Sequence, residues 1–252
     1  MISCESVSFV YNARGDDPVR ALDDVNAEVA EHEFVSLLGP SGCGKSTLLK
    51  ILAGLLNPTS GRVSVRGESP TEFDGLGMMF QSPVLLPWRT VWDNVLLPGD
   101  VAGKRKQFEG RARELLDMAG IGEFAKKYPY QLSGGMQQRV SLCRSLINDP
   151  QVLLMDEPFG ALDAMTRDQL NIELLNIWQQ TKKTVVFVTH SIQEATFLSD
   201  RVVMMSPRPG RISQVFDIPL PRPRTVETMG TSEFTAISTE IRRSLMGTVS
   251  HV

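Results

Sequence analysis

The chain has 252 residues, 42% of them hydrophobic and 22% charged, with a formal net charge of −3. That length allows one or two domains and buries roughly 70–75% of the unfolded surface, so no disulfide or metal staple is required. The composition excludes disordered, fibrous and disulfide-rich classes, and the mild acidity argues against a strongly basic nucleic-acid binder.

Residues 1–38 read as β structure, with strands at 6–11, 21–29 and 33–38 and a Gly- and Asp-rich loop after the first. Phe34-Val35-Ser36-Leu37-Leu38 is a short apolar run of the buried-strand kind. It stops at Gly39-Pro40, and a helix is predicted over 46–55, closed by Gly54 and Asn57-Pro58. Strands follow at 61–66 and 75–80. From Gln81 to about Pro150 the texture changes. Pro83, Pro87 and Pro98 break up an aromatic loop, and helices are predicted over 104–119 and 135–148. This stretch reads as a helical insertion within an α/β core. The core resumes with a strand at 152–155, a helix at 165–181 and a strand at 184–189. Ser191-Ile192-Gln193-Glu194 matches a capping box and opens a short helix to Leu198. Strands at 201–205 and 211–216, joined by a turn at 206–210, finish the core. The proline-rich 219–223 is extended, and Phe234, Ile237, Ile241 and Leu245 are spaced as one face of a closing amphipathic helix. There is no internal repeat.

Cys4, Cys43 and Cys143 are far apart and form no CxxC pair, which reads as reduced thiols in a cytosolic protein. The N-terminus lacks the basic and apolar regions of a signal peptide, and no apolar run approaches the ~20 residues that cross a bilayer. A soluble chain is expected, with any membrane role supplied by a partner.

Gly39-Pro40-Ser41-Gly42-Cys43-Gly44-Lys45-Ser46 fits G-x-x-x-x-G-K-[ST] between a strand and a helix, the context that marks a P-loop. Its glycines let successive amides face inward as an anion nest, and the helix that follows adds its positive end. Lys45 is placed for the β- and γ-phosphates and the Ser46 hydroxyl for Mg²⁺. A tight turn using glycine for geometry alone would need neither Lys45 nor Ser46, so a nucleoside triphosphate is the expected ligand. Three further strands end in polar groups suited to phosphoryl chemistry: Asp156-Glu157, His190 and Gln81. Asp156 suits hydrated Mg²⁺, and Glu157 suits the polarisation of an attacking water. In an open parallel sheet, such strand ends converge on one ligand crevice. His190 or Gln81 alone would read as an ordinary edge residue. Leu132-Ser133-Gly134-Gly135 opens a helix as a second anion nest, although alone it reads equally as a helix N-cap. Two nests and one triphosphate are reconciled by two chains facing head to tail.

GPSGCGKST at 39–47, FQ at 80–81, LSGGMQQR at 132–139, LLMDEP at 153–158, ALD at 161–163 and His190 closely resemble the ATP-binding cassette (ABC) ATPase family, over about 1–218. The resemblance implies an α/β P-loop NTPase core with an antiparallel β subdomain and an inserted helical subdomain. The core would comprise 1–81 and 151–218, the insertion 82–150 and a C-terminal extension 219–252. It also implies ATP and Mg²⁺ as ligands, held by the loop from Gly39 through Ser46 to Thr47. Tyr11, with Phe9 close by, aligns with the aromatic that stacks on adenine. Ser46, Gln81 and Asp156 would serve Mg²⁺, and Gln81 would join it to the insertion. Ser133 and Gly135, flanking Gly134, would contact the γ-phosphate bound to the opposite chain, and Asp163 would sit at the dimer seam. His190 would hold the γ-phosphate, and Glu157 would be the catalytic base. Cys43 reads as a small filler, or as a thiol made reactive by the helix N-terminus beside it.

The same resemblance implies partners. A single cassette usually serves permease subunits in separate chains, at the cytoplasmic face of the cell membrane, with a substrate-binding protein acting indirectly. The stretch 81–98 would dock a membrane-subunit helix, with Leu85, Leu86, Pro87, Trp88 and Trp92 apolar enough to line a groove, although each reads equally as core of the insertion. LLPWRTVWDNVLLP, MSPRPGRI and LPRPR resemble importer cassettes for nitrate, sulfonates and taurine, while related cassettes serve pyrimidine precursors and other small molecules. With its last residue at Val252, the sequence is expected to lack the regulatory β-domain of sugar-importer cassettes. A heptad insertion of the DNA-repair kind and a second cassette of the ribosome-associated kind are absent. A nucleotide-dependent clamp without productive turnover remains the alternative function, and intact Glu157, His190 and Gln81 count against it.

Overall fold

Short apolar strands, buried on both faces, organise the computed structural model, which describes residues 1–13 and 17–249. In chain order, β1 (Ile2–Tyr11) and β2 (Val19–Val29) lead to β3 (Phe34–Leu38), α1 (Lys45–Leu52), β4 (Ser60–Val65) and β5 (Leu76–Met79). Helices α2 (Val91–Val95), α3 (Leu97–Val101), α4 (Arg105–Met118) and α5 (Gly134–Leu146) precede β6 (Val152–Asp156), α6 (Ala164–Thr181), β7 (Thr184–Thr189) and α7 (Ile192–Leu198). The strands β8 (Arg201–Met205) and β9 (Ile212–Asp217) and the helices α8 (Val226–Met229) and α9 (Ser232–Val249) follow. The Gly- and Asp-rich loop expected after β1 lies partly outside the described residues.

The main sheet has the order β5-β6-β7-β3-β8-β9, parallel except for its edge strand β9, and a smaller antiparallel sheet has the order β2-β1-β4. Side chains of a strand alternate between faces. Phe34, Leu38, Met155 and Phe187 therefore pack towards the inserted and C-terminal helices. Val35, Leu37, Leu154 and Val188 pack with α1 and the smaller sheet. Because β5, β6, β7 and β3 are parallel neighbours, the residues that follow their carboxyl ends lie along one edge. That edge is where Gln81, Asp156-Glu157, His190 and the loop after Leu38 were expected to meet.

Several boundaries differ from those read in the sequence. β1 begins at Ile2 instead of residue 6, and Ile2 and Cys4 are buried. An irregularity between Cys4 and Val7, with Ser6 at φ 48°, breaks the alternation that would have revealed the earlier start. α1 stops at Leu52 because Gly54 adopts φ 70°. The expected loop after Gln81 contains α2 and α3. Thr90 caps α2 by accepting from the Asp93 N–H at 3.2 Å, and Pro98 stands at the start of α3, where a proline costs no hydrogen bond. The short α8 was also not anticipated. The closing helix was: in α9, Phe234 and Ile241 are buried, with Ile237 and Leu245 packed against the core.

Candidate functional site

The turn from β3 into α1 is shaped by its glycines. Gly42 and Gly44 have φ of 77° and 104°, and a Cβ on Gly44 would lie 2.8 Å from the Ala21 carbonyl oxygen and 2.7 Å from Leu22 Cδ2. Only glycine satisfies both the left-handed backbone and the close approach of β2. Ser41 and Gly42 are exposed, while Lys45 is buried and its ammonium donates to the carbonyls of Gly39 at 2.8 Å and Pro40 at 3.0 Å. Beyond it, the Ser46 hydroxyl donates to Asp156 Oδ1 at 2.8 Å. Tyr11 reaches in from β1, its hydroxyl 3.1 Å from Thr47 Oγ1, whereas Phe9 is buried beneath it with ring centroids 4.8 Å apart. Of the two aromatics, Tyr11 is therefore the one presented to the site.

A cavity of about 340 Å³ opens over this loop. Tyr11, Ser41, Gly42, Gly44, Lys45, Ser46, Thr47, Gln81 and Glu157 line it, joined by Val19, Ala21 and Arg208. His190 stands beside it, with Nδ1 3.1 Å from Glu157 Oε2. Glu157 has φ 42°, a left-handed backbone for a non-glycine residue, and its N–H donates to the Val188 carbonyl at 2.9 Å. Strain of this kind persists only where surrounding contacts enforce it. Burial pushes the Asp156 carboxyl above its ordinary pKa, with the neighbouring Glu157 charge adding to the rise, while the Ser46 hydrogen bond and Lys50 and Lys45 oppose it. Among the described residues no group of three or more His, Cys, Asp or Glu is placed to hold a metal ion. The Ser46 hydroxyl and the Asp156 carboxylate are nevertheless hard oxygen donors of the type Mg²⁺ takes, provided phosphate and water oxygens complete its shell.

Ser133, Gly134, Gly135 and Asp163 do not line this cavity. They cluster elsewhere, at the starts of α5 and α6. Ser133 caps α5 by accepting from the Met136 N–H at 3.3 Å, and Asp163 caps α6 by accepting from the Thr166 N–H at 3.0 Å. Hydrogen bonds from Thr166 hold the Asp163 carboxyl below its ordinary range. A Cβ on Gly135 would sit 2.7 Å from the Thr166 methyl, so these two helix starts are in direct contact.

Two alternatives left open by the sequence can be weighed. Cys43 is fully buried, and burial pushes its thiol pKa up despite the Lys45 charge nearby, which favours a small packing residue under Gly39 over a reactive thiol. The residues at 81–98 divide between core and groove. Leu85 and Trp92 pack against the core, and Trp88 is 72% exposed. Leu86 does line a cavity of about 640 Å³, together with Leu76, Val84, Leu97, Pro98 and Val101.

Side chains that sequence reasoning passed over hold this region. Asn94 is fully buried; it accepts from the Leu86 N–H at 2.8 Å and donates to the carbonyls of Leu86, Arg89 and Thr90. From α5, Gln138 donates to the Gln81 carbonyl at 3.2 Å and Arg144 to those of Pro83 at 2.7 Å and Val84 at 2.8 Å. The helix that Ser133 opens therefore grips the segment that Gln81 begins. Gln138 and Arg144 lie at helical positions like any other, and only Asn94, a polar residue in an apolar stretch, carried a signal.

Comparison with known proteins agrees with the geometry. Residues 22–160 match the ABC transporter family. An uncharacterized ABC transporter ATP-binding protein of Methanocaldococcus jannaschii is 50% identical over 88% of this chain and 84% of its own length. A taurine import ATP-binding protein of Rhizobium johnstonii is 46% identical over 98% of this chain and 97% of its own. Among solved structures, a dimeric post-hydrolysis state of an ATP-binding cassette bound to ADP and Pi superposes with a TM-score of 0.75 at 34% identity, covering 88% of this chain and all of that one.

Proposed function

The chain belongs to the ABC transporter family, and from that premise we propose that it hydrolyses ATP to energise a membrane importer of a small anion, an aliphatic sulfonate such as taurine. The observation that carries the reading is the meeting of Lys45, Ser46, Gln81 and Glu157 at one cavity, with Asp156 and His190 in hydrogen-bond contact with its walls. The name of the Rhizobium johnstonii relative supports the sulfonate class.

ATP lies with its adenine on Tyr11 and its phosphates against the amides of the loop from Gly39 to Thr47, where Lys45 offsets their charge. Ser46 and Asp156 would hold Mg²⁺, with Gln81 within the same cavity; the ion, when bound, offsets charge on the β- and γ-phosphates. Glu157 takes a proton from the attacking water as oxygen bonds to the γ-phosphorus and the bond to ADP breaks. His190, oriented by its contact with Glu157, donates to the γ-phosphate oxygens. A second copy, docked head to tail, brings Ser133, Gly134 and Gly135 to that phosphate and Asp163 to the seam. The dimeric state of the superposed cassette supports this arrangement. Closure of the dimer then moves α5, and through Gln138 and Arg144 the segment 81–98, where a permease helix docks in the cavity beside Leu86. A substrate-binding protein is an indirect partner through the permease.

Among the described residues no helix is long and apolar enough to cross a membrane. As an import ATP-binding subunit, the chain would sit on the cytoplasmic face of the cell membrane through its permease. We take 82–150 as the helical insertion and 219–252 as the C-terminal extension.

Glu157→Gln tests the chemistry. Hydrolysis should fall by at least ~100-fold, and ATP, but not ADP, should drive the variant to a dimer in analytical ultracentrifugation. Hydrolysis at the parental rate would remove Glu157 from the role of base. Uptake of labelled taurine by a deletion strain, restored by the intact gene, tests the cargo.

A further inference from the structure

The turn between β8 and β9, within the MSPRPGRI stretch, brings a second cation to the ATP cavity, and no role at the site has been given to it. Among the described residues, Lys45 and Arg208 are the two cations that line this cavity, and Glu157 is its one carboxylate. The Lys45 ammonium is engaged by the Gly39 and Pro40 carbonyls. Among the described residues Arg208 makes no hydrogen bond or ion pair, so its guanidinium carries five donors with no protein claim on them.

The turn that carries Arg208 is built as a rigid part of the site. Pro207 and Pro209 flank it and fix their own φ angles. The turn closes on itself through Ser206 N–H to the Arg211 carbonyl at 2.9 Å and Arg211 N–H to Ser206 Oγ at 3.1 Å. Its far end is stitched to β2, with Gly210 N–H donating to the Ala21 carbonyl at 2.9 Å and Asp23 N–H to the Gly210 carbonyl at 3.0 Å. Arg211 adds an ion pair with Asp23. A Cβ on Gly210 would lie 2.0 Å from the Cys43 carbonyl oxygen, so the turn rests directly on the phosphate loop. Ala21, one of its anchor points, itself lines the cavity.

The geometry points to Arg208 as a phosphate-binding residue for the nucleotide held by the same chain. A guanidinium offers a planar fork matched to phosphate oxygens, and a rigid carrier reduces the entropy lost in making those bonds. The assignment rests on reading the cavity as an ATP site, so its test must separate the two.

The experiment measures ADP and ATP affinity by calorimetry on the full chain and on Arg208→Ala, Arg208→Lys and, as a control on the site itself, Lys45→Ala. Arg208→Ala should weaken both nucleotides roughly tenfold, the scale of one charge-assisted hydrogen bond at a solvent-open site. Arg208→Lys should recover part of that loss, and the gap between parent and Ala variant should narrow in high salt. The melting temperature without nucleotide should not move, because Arg208 is exposed. ADP affinity within twofold of the parent in Arg208→Ala, with binding lost in Lys45→Ala, overturns the assignment and leaves the site reading intact. Full affinity in Lys45→Ala overturns the site reading. A loss confined to ATP-driven dimerisation, with ADP affinity unchanged, places Arg208 on the second copy and also overturns it.

Discussion

In the phosphate cradle, the contacts that give the site its shape are made largely by backbone: the amides of the loop after β3, the left-handed glycines, and the carbonyls that receive Lys45. In the helical insertion, side chains reach across to bind backbone: Asn94 holds the loop at 86–90, Arg144 holds 83–84 and Gln138 holds Gln81. At Gly44 the first kind of construction has no room for an added methyl. The second fails when the side-chain atoms that reach across are removed. A protein that must keep its chemistry fixed while one part moves against another gains from this division. Backbone contacts define one geometry, whereas long side chains carry force between elements that shift.

Three substitutions break this contrast in decreasing order of effect. Gly44→Ala adds one methyl at φ 104° against the Ala21 carbonyl and Leu22. Strain and overpacking together should cost about 3–5 kcal/mol, and ADP affinity should fall more than ~10-fold. Chemical denaturation and calorimetry read both. Asn94→Ala instead removes atoms, leaving the part-buried Leu86 N–H and Arg89 carbonyl without these partners, while the Leu86 and Thr90 carbonyls keep backbone donors. It should cost about 2–3 kcal/mol in urea denaturation, while ADP affinity stays within about twofold. An equal loss of affinity in both variants would abolish the distinction between the regions.

The smallest effect belongs to the ion network at α2 to α4. Arg105 pairs with Asp93 at 2.6 Å and with Asp100 at 3.0 Å, and Asp100 also pairs with Arg89. Partial burial would raise both carboxyls. Hydrogen bonds from Thr90 and Arg105 to Asp93, and from Arg105 and Arg89 to Asp100, outweigh it and hold both below their ordinary pKa. Groups with depressed folded pKa values stabilise above the unfolded value near 4 and lose that contribution as pH falls through the folded value. Arg105→Met should therefore cost under ~1 kcal/mol at neutral pH, given the partial exposure of the pair. Its difference from the parent should fade below about pH 4 in pH-dependent urea titrations. A gap that does not shrink at all as pH falls below 4 would assign the effect to packing of the Arg105 stem.

The same contrast explains what was legible in the sequence. The strands β3, β6 and β7 are continuous apolar runs, and the polar residues that end them follow at once, so Asp156, Glu157 and His190 announce their own position. The phosphate loop is legible because its conformation demands glycine at fixed places. Asn94, Gln138 and Arg144 act on residues distant in the chain, and no local pattern records which carbonyl a side chain will meet. Two alternatives left open by the sequence have a similar origin. Cys43 sits beside a helix N-terminus in the sequence, and its burial against Gly39 favours the small filler over the reactive thiol. Trp92 could be read as groove lining or as core, and in the helix that Thr90 caps it packs against the core. The start of β1 was hidden by the irregularity at Ser6.

The left-handed backbone at Glu157 also sets a limit on how well the protein can be stabilised. Glycine is at ease at φ 42°, so Glu157→Gly would relax that peptide while removing the carboxylate proposed as the catalytic base. A screen that rewards heat resistance alone would be drawn towards that substitution, and one that rewards turnover would be driven away from it. The position is a point where durability and catalysis are selected in opposite directions.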